Sequence, residues 1–205
     1  KGAEAVTAGP SFAVYPIAVK SVGATAVMAP LKDMRHDLKE MSRLVGKKTR
    51  VVFIANPNNP TGTIVTSKEF DEFMKSVPED CIVCVDEAYR EFVRSMEYPL
   101  TLEYVKAGKP VLLLRTFSKV YGLAGLRIGY GVAHPELIGY MNRVRQPFNV
   151  NSLAQVAAIA ALDDREHLNR TVENNAAGLD YLYGETGAMG LEYVPTEANF
   201  FLIKV

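Results

Sequence analysis

Short apolar runs that alternate with helix-like stretches are the feature that most constrains the fold of this chain. The runs lie at residues 4–8, 25–29, 50–55, 81–86, 111–115 and 126–132, and their length and β-branched content predict strands. Helices are predicted at residues 67–75, with Thr66 or Ser67 as N-cap, and at 135–143, with Pro135 in the first turn. Strands that alternate with helices predict a mostly parallel sheet in a three-layer α/β/α domain.

The last quarter of the sequence has a different pattern. Residues 152–162 predict a helix, and a long amphipathic helix is expected from Arg165 to about Tyr183. A glycine-rich stretch at 184–190 precedes two predicted strands at 191–193 and 199–204. We therefore expect residues 1–164 to form a large domain, and residues 165–205 to supply an interdomain helix and the start of a small α+β domain.

Charge and composition narrow the classes of partner. The 23 basic residues balance the 23 acidic ones, which argues against nucleic acid or an anionic membrane as a partner. The sequence has neither an apolar stretch of membrane-span length nor a signal-peptide start, so we expect a cytoplasmic protein. Cys81 and Cys84 would point to opposite faces of a strand, and the three histidines are far apart, so no metal site is predicted.

Several polar residues follow the apolar runs directly. Lys119 comes shortly after the run at 111–115, and Asp86 ends the run at 81–86 with Tyr89 close behind. Asn59 follows the run at 50–55, and Arg127 lies eight residues after Lys119. Open α/β sheets bind ligands at the carboxyl ends of their strands, so these side chains are expected to share one site.

Their chemistry fits pyridoxal phosphate. A lysine amine forms a Schiff base with an aldehyde cofactor, and a carboxylate such as Asp86 favours the protonated ring nitrogen that makes the ring an electron sink. The amide of Asn59 and the phenol of Tyr89 can donate to the ring hydroxyl. A phosphate needs a cation and hydroxyl groups, which are supplied by Arg127, Thr116 and Ser118.

Each residue also has a simpler explanation. A lone lysine after a strand is usually a surface charge, and the segment 56–62, Asn-Pro-Asn-Asn-Pro-Thr-Gly, can be an ordinary turn. Asp86 can be the N-cap of a short helix that begins at Glu87, and Arg127 can be a surface strand residue. The occurrence of all these residues in order, near the ends of apolar runs, favours the site.

These motifs resemble those of the fold type I, class I/II aminotransferases, and most of all the histidinol-phosphate aminotransferases. The resemblance rests on the segment 56–62, on Asp-Glu-Ala-Tyr at 86–89 and on Thr-Phe-Ser-Lys at 116–119 with the Gly-Leu-Ala-Gly-Leu-Arg that follows. It extends over nearly the whole chain. It implies that Lys119 is the Schiff-base lysine, that Asp86 is the partner of the ring nitrogen, and that Asn59 and Tyr89 contact the ring hydroxyl. The remaining implied cofactor contacts are Thr116, Ser118 and Arg127 to the phosphate, and Phe12, unless it is a core residue, stacked on the ring.

The resemblance also implies a reaction. An amino group would move between a donor and a 2-oxo acid, with histidinol phosphate and 2-oxoglutarate as the expected pair in histidine biosynthesis. Lys119 would bind the cofactor and then move the proton at the α-carbon. An aromatic amino acid aminotransferase, a threonine-phosphate decarboxylase and a non-catalytic relative of the fold stay as alternatives.

Assembly and extent follow from the same resemblance. We expect a homodimer in which the loop at 146–151 approaches the partner's site, although an ordinary edge loop has the same composition.

The sequence departs from the family pattern in three ways. Val120 replaces the small residue that some subfamilies have after the lysine. The Gly-rich phosphate-binding turn and the arginine for the substrate carboxylate have no counterpart in this sequence. We therefore expect the chain to be the central piece of a longer enzyme.

Overall fold

A seven-stranded sheet forms the centre of the computed structural model, which describes residues 2–205. Its strands are β1 (Glu4–Gly9), β2 (Thr25–Lys32), β3 (Arg35–His36), β4 (Thr49–Ala55), β5 (Ile82–Asp86), β6 (Val111–Thr116) and β7 (Gly129–Val132). They lie in the order β3-β2-β1-β4-β5-β6-β7. The five inner strands are parallel, and β3 and β7 are antiparallel to their neighbours at the two edges. The predicted mostly parallel α/β sheet is confirmed.

Helices connect the strands and continue beyond them. They are α1 (Val14–Ser21), α2 (Leu38–Leu44), α3 (Ser67–Ser76), α4 (Thr101–Lys106), α5 (Pro135–Val144), α6 (Ser152–Asp163) and α7 (Arg165–Ala188), with 3-10 turns at Arg90–Phe92 and Ala124–Leu126. Thr66 caps α3 in a reciprocal capping box with Glu69, as the sequence predicts for that helix start. Pro135 opens α5, where its missing N–H has no helical partner to lose. None of these helices within residues 2–205 is long and apolar enough to span a membrane.

The main core surrounds the central strands. Consecutive residues of β1, from Ala5 to Ala8, are all buried, so both faces of the sheet are covered. Phe70 and Phe73 of α3 and Met41 of α2 pack against the buried valines of β1, β4 and β5. Such a core holds the carboxyl ends of neighbouring strands in a fixed arrangement.

The structure differs from the predicted elements around Arg127 and at the end of α7. The strand expected from residue 126 begins at Gly129, because the chain first makes a 3-10 turn and then a left-handed residue, Arg127, with φ of 54°. Helix α7 passes the expected end near Tyr183 and continues to Ala188. It ends only where Gly190 takes a φ of 70° and the N–H of Leu191 bonds back to the Thr186 carbonyl.

The last strands are shorter than expected. Tyr193–Val194 (β8) and Leu202–Ile203 (β9) form a small antiparallel sheet that is separate from the seven-stranded one. The Tyr193 ring stacks on Tyr183 of α7, with 4.5 Å between the ring centroids. This aromatic contact ties the end of the long helix to the small sheet, and it stabilises helical turns in which glycine is otherwise unfavourable.

Candidate active site

A pocket of about 390 Å³ lies at the carboxyl ends of β4, β5 and β6. All the site residues proposed from the sequence line it: Phe12, Asn59, Asp86, Tyr89, Thr116, Ser118, Lys119 and Arg127. They meet there because β4, β5 and β6 are adjacent and parallel, so the loops that follow these strands share one edge of the sheet. The structure thus brings the residues together, while their individual roles stay predictions.

Asp86 is the last residue of β5 and is held by two donors. The Tyr15 hydroxyl donates to Oδ2 at 2.8 Å, and the Ala88 N–H donates to Oδ1 at 3.1 Å. Burial raises the pKa of the Asp86 carboxyl, and the charge of Glu87 adds to this, while the two hydrogen bonds and Lys119 oppose it. The bond from the Ala88 N–H resembles the bond that an N-cap side chain accepts. However, the next element is only the 3-10 turn Arg90–Phe92, and its N-cap residue is Tyr89. Asp86 therefore does not cap a helix that begins at Glu87.

Tyr15 is a site residue that the sequence analysis missed. It is buried on α1, its ring stacks on Phe53 with centroids 5.0 Å apart, and the edge of the Phe12 ring meets it at 5.6 Å. Burial, followed by the charge of Asp86, raises the pKa of the Tyr15 phenol, so its hydroxyl remains a donor to the carboxylate. Phe12 lies just before α1, and its carbonyl accepts from the Tyr15 N–H at 3.2 Å, so the three-residue spacing between the two aromatic residues was the available signal. Phe12 itself is 42% exposed and is therefore not simply a core residue.

Asn59, Tyr89 and Lys119 form a second group of contacts. The Asn59 side-chain amide donates to the Tyr89 hydroxyl at 3.2 Å. The Lys119 Nζ lies 5.0 Å from the centroid of the Tyr89 ring, within cation–π range. Tyr89 is buried against Phe200, whose ring meets it edge-on at 5.1 Å. These contacts place an amine, an amide and a phenol side by side at the pocket.

Thr116, Ser118 and Arg127 form the third group. The Thr116 hydroxyl accepts from the Ser118 N–H at 3.0 Å, and the Arg127 guanidinium donates to the Ala124 carbonyl at 2.7 Å. Within residues 2–205, no carboxylate lies within ion-pair distance of Arg127. A guanidinium without a counter-ion, in a pocket that two hydroxyl side chains also line, is suited to an anion such as a phosphate. Arg127 is exposed, as the simpler explanation has it, but it lies in a left-handed turn before β7 and not in a strand.

Arg115 also lines the pocket, but its charge is already paired. Its guanidinium donates to one oxygen of the fully buried Glu87 at 2.8 and 2.7 Å, and the Thr101 hydroxyl donates to the other oxygen. Burial alone would lower the pKa of Arg115, but the Glu87 carboxylate outweighs it and raises that pKa. Arg115 is therefore a structural cation, in contrast to Arg127.

Metal-ligating side chains do not converge in the described part of the chain. No group of three or more His, Cys, Asp or Glu residues within residues 2–205 is placed to hold a metal ion. Cys81 and Cys84 are free and buried, and burial raises the pKa of their thiols to about 11 and about 12. Both side chains are thus packed as neutral thiols.

Comparison with known proteins agrees with the motifs. The family model described as aminotransferase class I and II matches residues 1–205. The chain is 52% identical over 205 residues to a histidinol-phosphate aminotransferase of Moorella thermoacetica, covering 100% of this chain and 53% of that protein. It is 50% identical over 194 residues to histidinol-phosphate aminotransferase 1 of Nitrosococcus oceani, covering 95% of this chain and 52% of that protein. The chain therefore spans about half the length of the curated relatives it matches.

A solved structure shows the same fold. The crystal structure of histidinol-phosphate aminotransferase from Sinorhizobium meliloti in complex with pyridoxal-5'-phosphate superposes with a TM-score of 0.92 at 30% sequence identity. The match covers 98% of this chain and 55% of that one. The resemblance drawn from the motifs, and the fold expected from it, are confirmed.

Proposed function

This chain belongs to the class I and II aminotransferases, and we propose that it acts in a pyridoxal phosphate-dependent aminotransferase. The proposed reaction moves an amino group between histidinol phosphate and a 2-oxo acid, with 2-oxoglutarate and glutamate as the acceptor pair. The observation that carries the proposal is the pocket in which Lys119, Asp86 and the unpaired Arg127 lie together. The names of the relatives that are about 50% identical support the choice of histidinol phosphate.

The residues of the pocket fit the cofactor group by group. We assign Asp86 to the ring nitrogen, Asn59 and Tyr89 to the ring hydroxyl, and Phe12 to the face of the ring. Thr116, Ser118 and Arg127 supply the hydroxyls and the cation for the phosphate. When bound, pyridoxal phosphate supplies an aldehyde for covalent attachment and a ring that accepts electrons.

The other steps belong to the chain's own residues. We assign Lys119 to covalent attachment and then to proton transfer at the substrate's α-carbon, since a primary amine can act both as a nucleophile and as a base. Its position over the Tyr89 ring keeps the amine at the pocket. Burial raises the pKa of the Asp86 carboxyl, and the hydrogen bonds from Tyr15 and Ala88 counteract part of that rise and so favour the ionised form.

The test of the cofactor assignment is chemical labelling of the holoenzyme. Borohydride reduction followed by mass spectrometry should find a phosphopyridoxyl adduct on Lys119, and Lys119→Ala should abolish it. The exposed Lys106 supplies the matched control, Lys106→Ala, which should leave the labelling unchanged. An adduct on a different lysine would overturn the assignment, and absence of any adduct would favour a non-catalytic relative.

The substrate is tested separately with a panel of amino donors. Histidinol phosphate should give the highest kcat/KM with 2-oxoglutarate as acceptor, ahead of phenylalanine and tyrosine. Threonine phosphate is included with detection of released carbon dioxide. A preference for an aromatic donor, or decarboxylation of threonine phosphate, would replace the proposed substrate while leaving the cofactor assignment intact.

We further assign the enzyme to a homodimer. Support comes from the exposed apolar side chains around the loop at 146–151: Phe148 is 96% exposed, Val144 of α5 is 84% exposed, and Leu153 and Val156 of α6 are 75% and 68% exposed. Apolar surface of this kind is usually covered by a partner. Sedimentation at micromolar concentration should give a dimer, and Phe148→Asp should weaken it, whereas a monomer for the parent protein would refute this assignment.

Two remaining assignments complete the proposal. Residues 1–164 are assigned to the large cofactor-binding domain, and residues 165–205 to the interdomain helix and the start of a small domain. This division is supported by the pocket, whose lining residues all lie between Phe12 and Arg127, and by the separate β8–β9 sheet.

A cytoplasmic location fits soluble metabolites as substrates, and cell fractionation tests it.

A further inference from the structure

Asn58 lies in the turn that carries Asn59, yet it does not line the pocket. Its side chain is buried, with 1% exposure, and makes four hydrogen bonds. The Oδ1 atom accepts from the Ser11 hydroxyl at 2.7 Å and contacts the His36 Nε2 at 3.1 Å. The Nδ2 atom donates to the Pro10 carbonyl at 3.2 Å and to the Thr61 hydroxyl at 2.9 Å. Asn58 thus uses its full hydrogen-bonding capacity.

These bonds join three segments that are distant in the sequence. Ser11 directly precedes Phe12, Asn58 directly precedes Asn59, and His36 belongs to the edge strand β3. Phe12 and Asn59 both line the pocket. The side chains of Ser11, Asn58 and His36 therefore connect two pocket-lining segments to β3, which does not line the pocket.

The hydrogen-bond pattern determines which nitrogen of His36 is the donor. The Pro10 carbonyl can only accept, so the amide nitrogen of Asn58 must face it, and Oδ1 must face Ser11 and His36. The His36 Nε2 is then the donor, so in the neutral ring Nδ1 carries no proton. Nδ1 is buried and has no partner among the described residues. Burial lowers the pKa of His36 to about 4, in agreement with a neutral ring.

An imidazole with one unpartnered nitrogen is an unfavourable choice for a purely structural position, because an apolar side chain would avoid the desolvation of that atom. What His36 supplies in return is one fixed N–H donor to Asn58 Oδ1. Together with the Ser11 hydroxyl, this donor restrains the side-chain amide of Asn58, and Asn58 directly precedes Asn59 in the chain.

We propose that His36 is a positioning residue for the pocket: by donating to Asn58, it holds Asn59 and the Ser11–Phe12 segment where they contact the cofactor. The inference rests on the proposed function, since it concerns the same cofactor site. It adds to that function a dependence of cofactor binding on a residue of the distant strand β3.

The first test compares two substitutions at His36 in the holoenzyme. His36→Leu removes the donor, so the affinity for pyridoxal phosphate should fall about tenfold, as expected for the loss of one buried hydrogen bond. The absorbance maximum of the bound cofactor should also shift, because Asn59 is assigned to the ring hydroxyl. His36→Gln can donate through its amide and should restore both readouts to within about threefold of the parent.

The control separates positioning from loss of stability. Thr49 is buried at the start of β4, where its hydroxyl accepts from the Gly46 N–H at 2.9 Å, at the opposite end of the strand from the pocket. Thr49→Val should destabilise the fold but leave cofactor affinity and absorbance unchanged. An effect of Thr49→Val equal to that of His36→Leu would overturn the proposal, as would parent-like cofactor affinity and absorbance in His36→Leu.

If His36→Leu does not fold, Ser11→Ala decides the question. It removes the other donor to Asn58 Oδ1 and should produce the same shift in absorbance, whereas an unchanged spectrum would overturn the network. Nitrogen NMR of the parent should in addition show a neutral His36 protonated at Nε2. Failure of the parent protein to bind the cofactor at all would instead contradict the proposed function, so the two failures are distinguishable.

Discussion

The Asp86 carboxylate illustrates how several weak effects decide the state of one residue. Burial raises its pKa, and the hydrogen bonds from Tyr15 and Ala88 are the next two influences and act against burial. Two charges have smaller effects: the Glu87 carboxylate raises that pKa further and the Lys119 ammonium lowers it. The proposed chemistry needs the ionised form, and it is the hydrogen-bond donors, together with Lys119, that favour this form against burial.

The Tyr15 hydroxyl is predicted to matter for this balance. Tyr15→Phe keeps the stacking on Phe53 but removes one donor, so the pKa of Asp86 should rise further and kcat/KM at neutral pH should fall about tenfold or more. The acidic limb of the pH profile of kcat/KM should move to higher pH. Tyr104→Phe is the matched control, because that phenol donates to Asp71 away from the pocket. An unmoved acidic limb in Tyr15→Phe would contradict the role.

Sequence reasoning identified those pocket-lining residues that stand next to predicted strand ends. Asp86 and Lys119 could be placed at a common edge once the strands were predicted to be parallel. Tyr15 and Asn58 could not be found in this way, because each acts through a partner far along the chain. Tyr15 is 71 residues from Asp86, and Asn58 is 47 residues from Ser11. Such contacts depend on the strand order, which local patterns do not determine.

At the scale of elements, strands and capped helices were predictable because their signals are local. Thr66 before α3 and Pro135 in α5 are examples of residues whose effect needs only the neighbouring turn. The end of α7 was not predictable from Gly184, since the contact between Tyr183 and Tyr193 stabilises the helix from outside. Tertiary packing thus overrides the low helix propensity of glycine there.

The Glu87–Arg115 pair joins the ends of β5 and β6, and we predict a large effect on stability when one partner is removed. Arg115→Met leaves the fully buried Glu87 without its cation and should lower the free energy of unfolding by roughly 3 kcal/mol. Glu87→Gln keeps an acceptor for Arg115 and an amide of similar shape, so its loss should be smaller. Urea unfolding of each variant measures these differences.

The control for this prediction is an ion pair on the surface. Lys106 and Glu103 are 2.8 Å apart on α4, and both side chains are largely exposed. Lys106→Met should change the free energy of unfolding by less than about 0.5 kcal/mol, because water and salt screen such pairs. Equal effects of Arg115→Met and Lys106→Met would show that the ion pair between Glu87 and Arg115 contributes little to the free energy of unfolding.

For the whole molecule, the pH dependence of stability comes from groups whose pKa differs between the folded and the unfolded chain. His36 is one of them: its pKa is 6.5 as the ordinary value and about 4 in the folded protein. Between these two values the unfolded chain binds a proton that the folded protein does not bind. The titration of His36 should therefore have no effect above pH 6.5 and should by itself lower the free energy of unfolding as the pH decreases towards 4.

The predicted size of this effect follows from the same two values. The loss approaches about 1.4 kcal/mol per pH unit inside the window and totals on the order of 3 kcal/mol at its acidic end. In His36→Gln the slope of unfolding free energy against pH should be lower by one proton, because the variant side chain does not titrate. Thr49→Val keeps His36 and changes no titrating group, so it should lower the free energy of unfolding by an amount that is independent of pH. Urea unfolding of the three proteins from pH 7 to pH 4 gives both quantities, and parallel curves for the parent and His36→Gln would contradict a neutral, buried His36.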